Sequence, residues 1–277
     1  MGDADARSIL HRYCKKLAAA GVDIPRQPDE ETIHQFRVNI KKLHAFLRML
    51  RDGSVNKPPL QLPKRLKKMY RQVGEIRDRQ LCLKRLKMIF LPSDDVKDTI
   101  SALEKKIRDL LKEKSVWLHK QEFIALEQQL ATILAESDVA SPETLPTPFA
   151  LEKDVYFRLK KRNIEEVLLA GNFKDDELHT IRKNLKDMLY LSKLYKDDLK
   201  TPVPGEWSDD HVKFVERLTD VLGAFNDTRT ASAILRHEQS LSDPPGGDGL
   251  RRLLHYMSGE KCRLKKKALL QFRKLQA

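Results

Sequence analysis

One pattern of charged residues, spaced as H-x-x-R-x-x-x-K, is written twice in this chain. The first copy is His34, Arg37 and Lys41, and the second, 145 residues later, is His179, Arg182 and Lys186. At 100° per residue, this spacing places all three side chains on one side of a helix. A pattern repeated at such a distance predicts two similar halves built from equivalent helices.

Each copy forms a cationic stripe between two apolar flanks. His44 and Arg48 extend the first stripe to an arc of roughly 80°, and Lys193 extends the second. The first stripe is flanked by Phe36, Ile40, Leu43, Leu47 and Leu50 on one side and by Val38, Ala45 and Met49 on the other. The second is flanked by Ile181, Leu185, Met188 and Tyr195 and, oppositely, by Lys183, Tyr190 and Leu194. A solvated face explains one stripe but not the repeat, so the pattern favours a groove that an anion neutralises.

The charge of the whole chain indicates the same class of partner. Its 277 residues include 53 Lys and Arg against 40 Asp and Glu, which gives a formal net charge of +13. The excess is concentrated, because Lys64 to Lys87 holds ten basic and two acidic residues. Lys261 to Lys274 holds seven basic residues and no acidic one. Such runs predict an anionic partner.

Cysteine usage and hydropathy indicate the compartment. Cys14, Cys82 and Cys262 are odd in number and far apart, which is typical of a reducing compartment and does not form a zinc module. No apolar run approaches the ~20 residues that a membrane span needs. The first residues also lack the basic-then-apolar order of a signal peptide. The sequence therefore predicts a cytoplasmic protein with no membrane partner.

Apolar residues recur at helical spacing along most of the chain, and no alternating run is long enough for a strand. The sequence therefore predicts an all-α fold of eight or nine helices. The expected helices cover residues 4–20, 29–51, 62–90, 95–135 with a break near His119, 150–170, 175–197, 209–239 and 248–275. The proline-dense residues 141–148 predict a linker between a first half, 1–140, and a second half, 149–277.

A second repeat supports the first. Gly74-Glu-Ile-Arg-Asp78 in the third predicted helix is matched by Gly223-Ala-Phe-Asn-Asp227, 149 residues later. Paired H-x-x-R-x-x-x-K helices, each followed by a long helix with G-x-x-R/N-D, resemble the CHAD domain, the conserved histidine α-helical domain. The resemblance covers nearly the whole chain. It implies two four-helix bundles related by a pseudo-two-fold axis, around a central basic groove or pore that binds inorganic polyphosphate.

The resemblance also implies which residues line the groove. Carried over position by position, they are His34, Arg37, Lys41, His179, Arg182 and Lys186. Arg48 and Lys193 continue the stripes, and further basic residues on facing helices are expected to help: Lys64, Lys67, Lys68, Arg71 and Arg217. Arginine offers paired donors to phosphate oxygens, whereas each histidine can either contact ligand or pack inside a bundle. Asp78 and Asp227 are expected to hold a cation or cap a turn, because their charge repels phosphate.

Two other functions remain open from the sequence. A metal-dependent phosphohydrolase would use the histidines, but neither stripe helix supplies a carboxylate within a turn on the same face. A nonspecific nucleic-acid-binding protein would use the charge, but the stripes carry few aromatic residues to stack on bases. The sequence favours a polyphosphate-binding module without enzyme activity, metal or cofactor. It does not choose between monomer and dimer, and the resemblance is compatible with association with polyphosphate granules.

Overall fold

Helices account for nearly all of the described chain. The computed structural model describes residues 6–26, 29–52, 61–89, 94–118, 151–171, 173–194, 196, 208–240 and 247–276. Within these ranges lie eight α-helices and no strand: α1 (Ala6–Arg26), α2 (Glu30–Asp52), α3 (Lys64–Lys87), α4 (Asp94–Leu118), α5 (Leu151–Ala170), α6 (Asp175–Lys193), α7 (Asp209–Ser240) and α8 (Asp248–Gln276). The predicted all-α class is confirmed.

The helix bounds follow the apolar pattern, with one correction at the end of α1. Gly21 was expected to follow the first helix, but α1 continues to Arg26 and Gly21 is buried inside it. Ile24 is completely buried beyond the glycine, and the burial of that side chain outweighs the ~1 kcal/mol that glycine costs within a helix. The predicted continuation of the fourth helix to residue 135 and the predicted linker 141–148 lie outside the described residues.

Local capping explains where α2 and α6 begin. The Asp29 carboxylate accepts a hydrogen bond from the backbone N–H of Thr32 at 2.7 Å, so Asp29 caps α2. Glu30 and Glu31 in the first turn are favoured by the positive end of the helix dipole. Before α6, the backbone N–H of Lys174 donates to the Glu177 carboxylate at 2.6 Å. These contacts set the register in which both stripe helices present their cations.

The first of two compact units comprises Met1–Val73 and Leu118–Arg217. It contains α1, α2, α5, α6 and the first parts of α3 and α7. Within it, α1 packs on α2, α5 packs on α6, and α2 packs on both α5 and α6. The largest completely buried side chains of this unit include Phe36, Phe46 and Tyr156. Both stripe helices, α2 and α6, are therefore in direct contact within one unit.

The second unit comprises Gly74–Trp117 and Leu218–Ala277. Its core contains residues from α3, α4, α7 and α8: Cys82, Leu86, Leu103, Ile107, Ala231, Leu235, Leu250, Leu253 and Met257. Gly249 lets the start of α8 approach the start of α4, because a Cβ there would overlap the Asp95 carbonyl and the Thr99 side chain. Each unit thus combines residues from both sides of the predicted linker, and the division into halves 1–140 and 149–277 stays a prediction.

Candidate anion-binding site

All thirteen residues predicted to bind polyphosphate belong to the first unit. On α2 the cationic stripe is half-buried, and its apolar flanks are buried as the periodicity predicts, with Val38 half-buried as the exception. On α6, Ile181, Leu185 and Met188 are likewise buried, whereas Lys183 is exposed. The stripes therefore border packed surface on both helices, which fixes the direction of their side chains.

Arg37 is held on α2 by an aromatic residue of α3. One of its terminal nitrogens donates to the Tyr70 carbonyl at 2.9 Å, and its guanidinium carbon lies 4.4 Å from the centre of the Tyr70 ring. Stacking on a ring holds the planar guanidinium in one orientation. Since a guanidinium carries five N–H donors, Arg37 can bind an anion without giving up the Tyr70 contact.

Arg182, the counterpart of Arg37 on α6, lies beside Tyr190. Burial raises the pKa of the Tyr190 phenol, Arg182 opposes that rise, and Tyr70 adds to it. Tyr70, which holds Arg37, and Arg182 thus both lie within electrostatic range of Tyr190. The buried Nε of Arg182 has no hydrogen-bond acceptor among the described residues, and a buried donor of this kind gains from an anionic acceptor.

His44 is surrounded by cations from three helices. Burial, followed by the positive charges of Arg48, Lys183, Lys67 and Arg51, lowers the pKa of His44 to about 3. The imidazole is therefore neutral near pH 7. A terminal nitrogen of Arg48 lies 3.1 Å from Nδ1 and 3.4 Å from Nε2 of the ring. Because guanidinium only donates, one ring nitrogen of the neutral His44 is its acceptor and the other carries the ring proton.

Comparison with known proteins agrees with this arrangement of helices. A protein-family model, the CHAD domain, matches residues 8–236. The chain belongs to the CHAD domain family. The crystal structure of the CHAD domain from the plant Ricinus communis is similar to this structure with a TM-score of 0.69 and 18% sequence identity, over 95% of this chain and 89% of that chain. At that identity the likeness concerns the fold alone. No curated protein matches the chain.

Arg48 occupies a different environment from the other stripe residues of this CHAD domain. Its guanidinium donates to the Asp187 carboxylate of α6 at 2.6 Å, and the two side chains are 13% and 5% exposed. Lys160 of α5 lies 3.6 Å from the other carboxylate oxygen and donates to Asn184 at 3.3 Å. The Tyr156 hydroxyl donates to the same carboxylate at 3.5 Å. Arg48 is therefore a partner in a buried network, and we leave it out of the anion-binding set.

The sequence interpretation missed this buried network, although one signal for it was present. Lys160 lies one helical turn from Tyr156 and from Ile164, both buried, so a cation interrupts the apolar side of α5. Asp187 similarly precedes the buried Met188 on α6. Charged residues at core positions are rarely buried without a partner, so two of opposite sign indicate a pair. Burial also lowers the pKa of Lys160, which Asp187 opposes.

The remaining predicted residues of the CHAD domain divide by exposure. Exposed residues are Lys64, Lys68, Arg71, His179, Lys193 and Arg217, and half-buried residues are His34, Lys41, Lys67 and Lys186. Lys193 pairs with Glu216 at 2.8 Å, which reduces its availability to an anion. Asp78 and Asp227 are half-buried in the second unit, and their expected roles stay predictions. The structure thus places Lys67 of α3 and Lys183 of α6 within electrostatic range of His44.

The described residues form neither a metal cluster nor a membrane span. Across the described ranges, no group of three or more His, Cys, Asp or Glu side chains is placed to hold a metal ion. Among the helices described above, none is long and apolar enough to cross a membrane.

Proposed function

We propose that this CHAD domain binds inorganic polyphosphate, a long linear polyanion, through the first unit. The observation that carries the proposal is the gathering of cations from α2, α3 and α6 around the neutral His44. Asp187 and Asp52 pair with two of these cations, Arg48 and Arg51. Among the described residues Lys67 and Lys183 make no ion pair, so their mutual repulsion remains for an anion to neutralise. Arg37 and Arg182 add guanidinium donors from α2 and α6.

The chemistry of these groups suits phosphate. Guanidinium pairs with two phosphate oxygens at once, and Lys67 and Lys183 act as mobile point charges. A neutral His44 keeps one ring N–H donor without adding to the repulsion between cations. We propose binding rather than catalysis, since the carboxylates that pair with the arginines near His44 are both engaged, Asp52 by Arg51 and Asp187 by Arg48 and Lys160.

The proposal is tested by charge reversal at the two arginines. Arg37→Glu and Arg182→Glu should each lower polyphosphate affinity by about 10- to 100-fold, the scale of a lost charge-assisted contact. Lys15→Glu is the matched control, because Lys15 is an exposed cation of α1 in the same unit. Far-ultraviolet circular dichroism should show the same helix content in all three variants.

Competition with nucleic acid separates a shaped site from a basic surface. Polyphosphate should displace single-stranded DNA of equal phosphate content from the wild-type chain. Binding stoichiometry should stay unchanged while both single reversals weaken affinity, because the two arginines act on one bound polymer. Equal affinity for polyphosphate and DNA, or two separable sites, would refute the proposal and favour nonspecific binding.

We also propose that the protein acts in the cytoplasm. Cys14, Cys82 and Cys262 are all free thiols, as expected in a reducing compartment. Burial raises the pKa of the Cys14 thiol to about 11, which keeps it protonated and unreactive. Association with polyphosphate granules would follow from the proposed binding, and fluorescence microscopy of the tagged protein in polyphosphate-rich cells tests it.

A further inference from the structure

The exposed side of α8 belongs to the second unit and lies beyond residues 8–236 that the family model covers. The opposite side of α8 is buried through Leu253, Met257, Leu264, Ala268 and Phe272. Five exposed cations, spread over ~30 Å of helix and an arc of roughly 120°, form what we call the α8 basic face: Arg252, Arg263, Lys266, Lys267 and Arg273.

Only the first half of the α8 basic face is neutralised by nearby carboxylates. Arg252 lies 3.5 Å from Asp95, and Arg263 donates twice to Glu260, at 3.0 and 2.9 Å. These hydrogen bonds also lower the pKa of Glu260. Residues 261–276 contain no acidic residue.

In the part of the chain that the structure describes, Lys266, Lys267 and Arg273 make no ion pair. Among the described residues, the C-terminal half of the face therefore carries at least three positive charges without a compensating carboxylate. Each is exposed, so an anion approaching from solvent can reach all three.

Gly259, at the centre of this face, is a second and independent indication that the face contacts a ligand. It lies within α8, where glycine costs ~1 kcal/mol relative to alanine. A Cβ at this position would meet nothing within 4 Å, so packing against the described residues does not require the glycine. The missing side chain leaves the helix backbone open to a close approach from outside.

We propose that the α8 basic face is a second contact surface for the polyphosphate chain, which rests on the function proposed above. A second copy of the chain would present the same positive charge, and repulsion makes it a poor occupant. An anionic membrane favours helices with an exposed apolar side, whereas the apolar side of α8 is buried. Among the described side chains of α8, the large hydrophobic residues that are exposed are Leu270 and Tyr256, at 60% and 37% exposure, which is less than a protein partner needs for an anchor.

A linear phosphate polymer fits a row of cations better than these alternatives. Its charges are spaced along one dimension, as are the cations of the α8 basic face, and each contact releases counterions. The α8 basic face extends over ~30 Å, so a long chain can contact its cations in succession, and several contacts on one polymer raise the apparent affinity. Tripolyphosphate has only three phosphate groups, so it contacts a small part of this row and gains little from it.

The test compares two double charge reversals in the full chain. Lys266→Glu/Lys267→Glu removes two uncompensated cations of the face, and Lys105→Glu/Lys112→Glu is the matched control on α4. All four lysines are exposed in the second unit, so the change in net charge is equal. Affinities for long-chain polyphosphate and for tripolyphosphate are measured over a range of salt concentrations.

We expect the face variant to bind long-chain polyphosphate about tenfold more weakly than the control, with a log–log salt slope shallower by ~1.4, or ~0.7 for each lost contact. Tripolyphosphate affinity should be equal in the two variants. Equal long-chain affinities, or an equal loss for tripolyphosphate, would overturn the inference. So would loss of binding to anionic phospholipid vesicles with unchanged polyphosphate affinity. Failure of the wild type to prefer polyphosphate over DNA would instead refute the proposed function.

Discussion

Replacing Asp187 by asparagine removes the charge on which the buried network of the first unit depends. Asp187 is the one carboxylate in contact with both Arg48, at 2.6 Å, and Lys160, at 3.6 Å. All three side chains are at most 13% exposed, so water does not replace the lost partner. The substitution leaves two buried cations, contributed by α2 and α5, without the carboxylate that both contact.

The magnitude follows from the burial of these groups. At a separation of ~4 Å and an effective dielectric constant of ~20, each ion pair gains ~4 kcal/mol of Coulomb energy. Desolvation offsets much of that gain while the pair is intact, but breaking a buried pair costs about 3–5 kcal/mol. The asparagine oxygen can still accept a hydrogen bond from Arg48, so we expect Asp187→Asn to lower the free energy of unfolding by about 3 kcal/mol. That is a large part of the ~5–15 kcal/mol of unfolding free energy that is typical of a domain.

Urea unfolding followed by far-ultraviolet circular dichroism measures this cost. Glu165→Gln is the control, because its pair with Lys161 at 3.9 Å is exposed and should contribute less than ~0.5 kcal/mol. In a double-mutant cycle, Arg48→Met combined with Asp187→Asn should cost less than the sum of the single changes. A cost below ~1 kcal/mol for Asp187→Asn, or strict additivity in the cycle, would refute this account of the network.

Four other predictions follow from the same structure. The pKa of His44 falls from its ordinary 6.5 to about 3 on folding, so the unfolded chain binds the proton first as the pH is lowered. The free energy of unfolding should therefore decrease as the pH falls from 6.5 to 3, by up to ~1.4 kcal/mol per pH unit. His44→Gln should flatten that pH dependence in urea titrations. If about six phosphates are neutralised, polyphosphate binding should weaken with a log–log salt slope near −4, and a slope near zero would contradict it. Gly249→Ala should lower the melting temperature because its Cβ meets the Asp95 carbonyl, at a cost of about 1–3 kcal/mol. Extensive chelation should change neither the melting temperature nor the affinity for polyphosphate. A decrease in either quantity when a bound metal is removed would favour a metalloenzyme.

Periodicity predicted those parts of the fold that depend on local burial. The flanks of α2 recur at helical spacing, and Phe36, Leu43 and Leu47 are buried as that spacing requires. The end of α1 was less predictable, because Gly21 is a local stop signal whereas the burial of Ile24 depends on tertiary packing. Local signals therefore identify the type of an element more reliably than its end.

The division of roles among the cations could not be predicted in the same way. Arg37 and Arg48 occupy the same stripe, yet Arg37 stacks on Tyr70 whereas Arg48 pairs with Asp187, 139 residues away in sequence. The spacing of the stripe fixes the direction of a side chain, but its partner depends on which helix packs opposite. Lys183 lies outside the stripe, on a flank that is otherwise apolar, yet its positive charge helps to lower the pKa of His44. A residue that departs from the pattern can therefore also contribute to the charge of the site.

The placement of carboxylates distinguishes this arrangement from a surface that only keeps a protein soluble. A solubilising surface mixes both signs, as α8 does near Arg263 and Glu260. In the first unit, Asp187 is instead buried and engaged by Arg48 and Lys160, while the charged groups with the strongest effect on His44 are all cations. The neutral imidazole avoids one more like charge and keeps a donor, but among the described residues Lys67 and Lys183 make no ion pair, so their repulsion remains. Under the proposed function, an anion that removes this repulsion stabilises the folded unit as it binds, so a cost of the free protein becomes part of the affinity for polyphosphate.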